Sequence, residues 1–183
     1  MRELKYHEKK LLRKNKFYEP WKNESSSREA QVMRRYQLTR REDYSRYNKI
    51  VGMITKLVTL IKSLKPTDKF RIKLTEQLCD RLYSLGVINR RNSLEECSKV
   101  SVSAFCRRRF PVVLTVGKWC ETIREATQLI QQGHFNCGNN SMTDPNTLLT
   151  RAMQDNIEWS DASRVKRKIQ SFKNQVDDYD LYG

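Results

Sequence analysis

Residues 129–138 read Leu129-Ile130-Gln131-Gln132-Gly133-His134-Phe135-Asn136-Cys137-Gly138, and the fold turns on them. Leu129 and Ile130 complete an apolar face begun by Ile123 and Ala126, at the three- and four-residue spacing of a helix. Thr122 with Glu125 makes a capping box at its start, and Gly133 stands where a left-handed residue ends it. His134 to Cys137 then reads as a short strand, turned by Gly138-Asn139-Asn140. Beyond a loop around Asp144-Pro145, Asn156-Ile157-Glu158-Trp159 reads as the return strand. On the upstream side, Arg107-Arg108-Arg109 leads through Phe110-Pro111 into a helical turn, Val112-Val113-Leu114.

Segment 107–159 thus runs basic triplet, short helix, capped helix, strand pair. Arginine forks match phosphate oxygens. The start of the capped helix offers open N–H groups and the positive end of a dipole. This order predicts a small concave surface for a nucleic-acid backbone, read by shape more than by sequence.

Further upstream, Tyr44, Tyr47, Val51, Ile54, Val58 and Ile61 step by three and four, which predicts an amphipathic helix over 42–64. Leu57, Leu60 and Leu64 are expected to widen its buried stripe. Pro66 stops it. A second helix follows, with Phe70, Leu74, Leu78 and Leu82 inward and Gly86 as its closing residue. After the polar turn Asn89-Arg90-Arg91-Asn92, Ser93 and Glu96 form another capping box, and two short helices are expected within 94–106.

Residues 1–30 are polar and basic; Leu4, Leu11 and Leu12 suit one short helix, ended by Pro20 and Ser25-Ser26-Ser27. At the other end Ser163 caps a last helix, with Val165, Ile169, Phe172 and Val176 expected inward. The sequence closes on the acidic Asp177-Asp178-Tyr179-Asp180.

The net charge of +15 over 183 residues is unevenly placed. Residues 1–100 carry 25 basic and 12 acidic side chains, a balance of +13; residues 101–183 carry 11 and 9, a balance of +2. Such asymmetry marks a polyanion-binding surface, and the polar neighbours of the basic groups favour nucleic acid over anionic membrane. Arg34, Arg35, Arg40 and Arg41, four arginines within eight residues, are the densest candidates, followed by Arg46.

No stretch approaches the roughly 20 apolar residues that span a bilayer, and the charged start lacks the apolar core of a signal peptide. The expectation is a protein neither secreted nor membrane-embedded. Five well-separated cysteines (Cys79, Cys97, Cys106, Cys120, Cys137) and two histidines lack zinc-ligand spacing. Reduced thiols, no metal and no cofactor are expected.

Several motifs together resemble the S4 family, which carries the alpha-L RNA-binding motif. They are Arg108-Arg109-Phe110, Thr122-x-x-Glu125-Ala126 and Leu129-Ile130-x-x-Gly133-His134-Phe135-x-Cys137-Gly138. Tyr36-x-Leu38, Arg41-Glu42-x-Tyr44 and Leu82-x-x-Leu85-Gly86-Val87 resemble the helical N-terminal part of the ribosomal member. Leu4-Lys5-Tyr6-His7-Glu8, Arg41-Glu42-Asp43-Tyr44-x-x-Tyr47-Asn48, Ser103-x-Phe105-Cys106-Arg107 and Trp159-x-Asp161-x-Ser163 are similar to the nucleolar S4-like branch found in the U3 small nucleolar ribonucleoprotein.

The resemblance implies an α+β, mostly helical fold: a helical N-terminal part followed by a small S4-like domain with a short antiparallel sheet. It implies a non-catalytic ribosome-assembly role in the nucleolus, promoting pairing of U3 RNA with pre-rRNA. The implied partners are U3 RNA, pre-rRNA, an M-phase phosphoprotein scaffold and a Brix-domain protein. The implied division is a basic arm at 1–30, a helical domain at 31–105, the S4-like domain at 106–160, and a helix with acidic tail at 161–183. Arg107, Arg108, Arg109, Lys118, Thr122, Arg124, Gln128 and His134 join the upstream arginines as expected RNA contacts. Ile123 and Asn136 stand where the family often has basic residues.

Some readings stay open on sequence alone. His134 suits a packed imidazole as well as an RNA contact. Trp119 and Trp159 suit core positions or base-stacking platforms. Lys166-Arg167-Lys168 suits an import signal, an RNA contact or a solvated face. For the whole chain the alternatives are the ribosomal small-subunit S4 protein itself and a protein-interaction adaptor that binds RNA weakly. An RNA-modifying enzyme would need a further domain or catalytic cluster, and neither is legible.

Overall fold

The structure is a computed structural model that describes residues 2–15 and 28–173. In chain order its elements are α1 (Tyr6–Asn15), α2 (Arg28–Arg35), α3 (Arg41–Ser63), α4 (Lys69–Ser84), α5 (Leu94–Ser98), α6 (Val102–Arg107), α7 (Phe110–Val116), α8 (Ile123–Gln131), β1 (Phe135–Cys137), β2 (Asn140–Ser141), α9 (Arg151–Asp155), β3 (Ile157–Trp159) and α10 (Arg164–Phe172). This is the mostly helical chain with a small antiparallel sheet that the sequence predicts. It divides into two units at Tyr44/Ser45.

In the first unit, Glu8 organises the start of α1: it accepts from the backbone N of Lys5 at 2.9 Å and from Arg2 Nη2 at 2.7 Å. α2 lies partly inside the segment read as an arm; Val32 is its buried residue, and Tyr36 and Leu38 beyond it are also buried. The expected stop at Pro20 and Ser25-Ser26-Ser27 lies outside the described residues, as do Val176 and the acidic Asp177-Asp178-Tyr179-Asp180.

In the second unit, α3 buries Tyr47, Ile54, Val58 and Ile61 as its spacing dictates. Leu57 and Leu60 do not widen that stripe; they are exposed beside Met53. In α4, Leu82 and Cys79 are buried but Phe70 is 61 % exposed, against expectation. The reason is geometric: a four-residue step overshoots one turn by about 40°, so three steps carry Phe70 about 120° away from Leu82. Asp68 caps α4 by accepting from Phe70 N. α5 is held against α4 at a buried thiol pair, Cys79 and Cys97, whose sulfurs are 3.6 Å apart. Tyr47 stacks on Phe105 of α6, ring centres 6.1 Å apart.

The C-terminal core gathers Phe110, Val113, Leu114, Cys120, Ala126, Ile130, Phe135, Leu149 and Ile157. Its sheet has the order β2-β1-β3, with Phe135 opposite Trp159 and Asn136 opposite Ser141. β2 and α9 escape a sequence reading: two residues give no alternation, and five give no helical period. α10 differs from expectation as well. Val165 and Ile169 are half-buried, and Phe172 is 91 % exposed. No helix among the described residues is long and apolar enough to cross a membrane.

Candidate RNA interface

The basic triplet is divided by the fold. Arg107, at the end of α6, is exposed. Arg108 turns inward: Nε and Nη2 donate to the Leu149 carbonyl at 3.0 and 2.8 Å, and Nη1 donates to Gln154 Oε1 at 2.8 Å. Leu149 N donates back to the Arg108 carbonyl at 2.9 Å. Gly86 makes this possible, because a Cβ there would meet the Arg108 guanidinium at 2.8 Å. Burial and then the neighbouring Arg151 lower the pKa of Arg108 from its ordinary value. Arg109 is 3 % exposed and donates to Asn146 Oδ1. Two of the three expected phosphate forks are therefore bonded within the protein and hold the loop before α9 against the end of α6.

His134 is resolved the same way. Its Nδ1 lies 2.9 Å from the hydroxyl of buried Ser163, and its Nε2 lies 3.1 Å from Gln132 Oε1. An amide oxygen only accepts, so Nε2 carries the proton toward Gln132. The Ser163 hydroxyl also accepts from Lys166 N at 3.4 Å, so one serine caps α10 and orients His134. Trp159 stacks on Phe135 with centres 4.4 Å apart, and Trp119 meets both rings near 6 Å edge-on or tilted. These two tryptophans border the core.

What remains exposed is the start of α8 and the turn before it. Lys118, Thr122, Arg124 and Gln128 are all exposed. Thr122 Oγ1 accepts from Glu125 N at 3.2 Å, the expected N-cap bond, while Glu125 Oε2 reaches back to accept from Glu121 N, one residue before the cap, rather than from Thr122 N as a full capping box would. Lys118 closes α7 in a Schellman motif, with Trp119 N donating to Leu114 O and Lys118 N to Thr115 O. This places Lys118 at φ 61°, a left-handed position where glycine is the ordinary occupant. α4 and α8 close in the same way with Gly86 at φ 71° and Gly133 at φ 73°. A lysine kept in that conformation carries a cost of order 1 kcal/mol. A cleft of about 530 Å³ opens beside it, lined by Thr115, Lys118, Trp119, Cys120, Glu121 and Glu125.

In the first unit, Arg34, Arg35, Arg40 and Arg41 are exposed, and so is Arg46 just beyond it. Arg41 forks onto Glu29 at 2.8 and 3.5 Å. Arg35 sits 5.8 Å from the ring centre of Tyr36. Sequence reasoning missed Asn146 and Arg151 as partners of this architecture. Arg151 donates to the Tyr83 and Ile88 carbonyls, more than 60 positions away, so no local signal points to it.

The Ribosomal protein S4/S9 N-terminal domain matches residues 3–107. The U3 small nucleolar ribonucleoprotein protein IMP3 of Saccharomyces cerevisiae is 44% identical over 182 residues, covering 99% of this chain and 99% of that protein. The chain belongs to the IMP3 family. The human IMP3 is 39% identical over 181 residues, 99% of this chain and 98% of its own length. A ribosomal likeness is more distant: the small ribosomal subunit protein uS4 of Picrophilus torridus is 23% identical over 145 residues, 79% of each chain. The likeness to the IMP3 family thus extends into both terminal segments, where the sequence signatures distinguish it from a ribosomal S4 protein.

Proposed function

We propose that this chain is a non-catalytic, RNA-binding component of the U3 small nucleolar ribonucleoprotein, acting in early small-subunit pre-rRNA processing in the nucleolus. The near-complete alignment with proteins of that particle carries the reading. Its finer content is that the protein promotes pairing of U3 RNA with pre-rRNA, held by an M-phase phosphoprotein scaffold alongside a Brix-domain protein.

The residues divide the work. Arg107, Lys118, Thr122, Arg124 and Gln128 present the exposed RNA face of the S4-like domain, 106–160. Arg34, Arg35, Arg40, Arg41 and Arg46 supply phosphate contacts from the chain before it. Arg108, Arg109 and His134 act as positioning residues, because each side chain bonds within the protein: Arg108 to the Leu149 carbonyl, Arg109 through Nη2 to Asn146, and His134 to Ser163. Glu121 and Glu125 offset Lys118 and Arg124 around the start of α8, so this face contributes shape more than net attraction. The basic arm 1–30 and helical domain 31–105 contribute most of the electrostatics, and 161–183 is left for protein contacts.

Crosslinking the protein to RNA in cells, followed by sequencing, tests this. Reads on U3 RNA and on pre-rRNA are expected. Reads confined to mature small-subunit rRNA would replace the reading with that of a ribosomal protein.

A further inference from the structure

Away from the start of α8, a cleft of about 490 Å³ is lined by Asp80, Tyr83 and Ser84 of α4, by Arg91, and by Thr150 and Arg151 at α9. Arg91 belongs to the polar turn Asn89-Arg90-Arg91-Asn92, between α4 and α5. Its neighbour Arg90 is 3.7 Å from Glu96, whereas Arg91 makes no ion pair among the described residues. The Cζ of Arg91 lies 4.5 Å from the Tyr83 ring centre, and that of Arg151 lies 4.1 Å from it. Two guanidinium groups therefore share one aromatic ring.

Arg151 is held rigidly. Nε donates to the Tyr83 carbonyl at 2.9 Å and Nη2 to the Ile88 carbonyl at 3.0 Å. These bonds orient the fork and leave Nη1 available. Arg108 adds a third like charge near enough to Arg151 to be felt electrostatically. None of the three makes an ion pair among the described residues, and Asp80 on the cleft pairs with no cation there. The ring quadrupole of Tyr83 offsets part of the repulsion. An incoming anion would offset the rest.

We propose that this cleft is a second RNA-backbone site, in which Arg91 and Arg151 grip a phosphodiester beside Tyr83. Paired guanidinium forks suit phosphate oxygens. The Thr150 hydroxyl accepts from Met153 N at 3.2 Å, so its own hydrogen can go to a ligand oxygen. The Tyr83 ring already carries two arginines, so it is not a base-stacking platform, and the contact is to backbone rather than base. The cleft has room for a phosphate with its sugar. RNA is favoured over a phosphopeptide because the chain already carries +15 and this site adds a contact without base readout. The proposal rests on the RNA-binding reading above and extends its footprint.

The test uses the full chain and a fluorescent U3 RNA transcript, with affinity measured by anisotropy between 50 and 200 mM salt. Arg91 is exposed, so Arg91→Ala and Arg91→Glu should melt with the parent. Arg91→Ala should weaken binding about 10-fold and lower the salt slope by about one unit, with Arg91→Glu weaker still. Unchanged affinity and slope in both variants, with the parent binding tightly, would overturn the cleft site and leave the RNA reading standing. Weak, salt-insensitive binding by the parent would overturn the RNA reading and this proposal with it. Arg91-dependent capture of a phosphoserine peptide, with RNA affinity unaffected, would assign the cleft to a protein partner and overturn the proposal.

Discussion

Arg34, Arg35 and Arg40 are exposed, whereas toward the C-terminal core Arg108 and Arg109 turn inward to Leu149, Gln154 and Asn146. The same residue type thus builds a surface in one region and a framework in the other. Charge counted along a sequence measures both uses together. The modest +2 of residues 101–183 overstates the basic charge left exposed there, since Arg108 and Arg109 turn inward to partners. Those two side chains and the aromatic cluster around Phe135 fix the shape of the region.

The framework depends most on Phe135, which is fully buried and touches the rings of Phe110, Trp119 and Trp159. Phe135→Ala should cost about 3–5 kcal/mol, a fall in Tm of about 10 °C or more at this chain length, read by a thermal melt. Next comes the contrast between the two kinds of arginine. Arg108→Ala should cost about 2–4 kcal/mol, because the Leu149 carbonyl loses its donor and Gln154 its partner. Arg34→Ala should stay within about 0.5 kcal/mol. Equal effects would erase the distinction between framework and surface.

Thiol burial sharpens the picture by pH. Burial pushes the Cys106 and Cys120 thiols up to about 11, and burial with the adjacent Cys79 pushes Cys97 up to about 12, all from 9.0. A folded pKa above the unfolded one contributes stability below pH 9, which is lost as pH rises from there toward the folded values. At pH 10 each thiol should contribute about 1 kcal/mol of destabilisation relative to pH 8. A Cys106→Ala variant should show a correspondingly shallower loss in melts across that range. A backbone change of similar size separates stability from binding. Lys118→Gly should stabilise the fold by about 1 kcal/mol by relieving the left-handed backbone, yet weaken RNA binding. A variant that gains stability without losing affinity would make Lys118 merely a tolerated cap.

Much of this architecture is written locally. Ser93 with Glu96 and Thr122 with Glu125 announce their helices, and Gly86 and Gly133 end theirs, because capping requires particular atoms a few residues apart. The α3 stripe is legible for the same reason. Phe70 and Phe172 misled because spacing alone does not say which face a neighbour covers. The inward turn of Arg108 was illegible because its partners Leu149 and Gln154 lie 41 and 46 positions away, and only the folded loop brings them together. The Arg91–Tyr83–Arg151 cluster is hidden for the same reason.

We propose that within residues 106–160 it is the exposed start of α8, rather than the inward arginines, that meets RNA. The most direct test is the affinity of the Lys118→Ala, Arg124→Ala double variant for U3 RNA, with its melt recorded alongside. About 10-fold weaker binding, a salt slope lower by about two units, and an unchanged melt are predicted. A folded double variant that binds U3 RNA with the parent's affinity and slope would contradict the account.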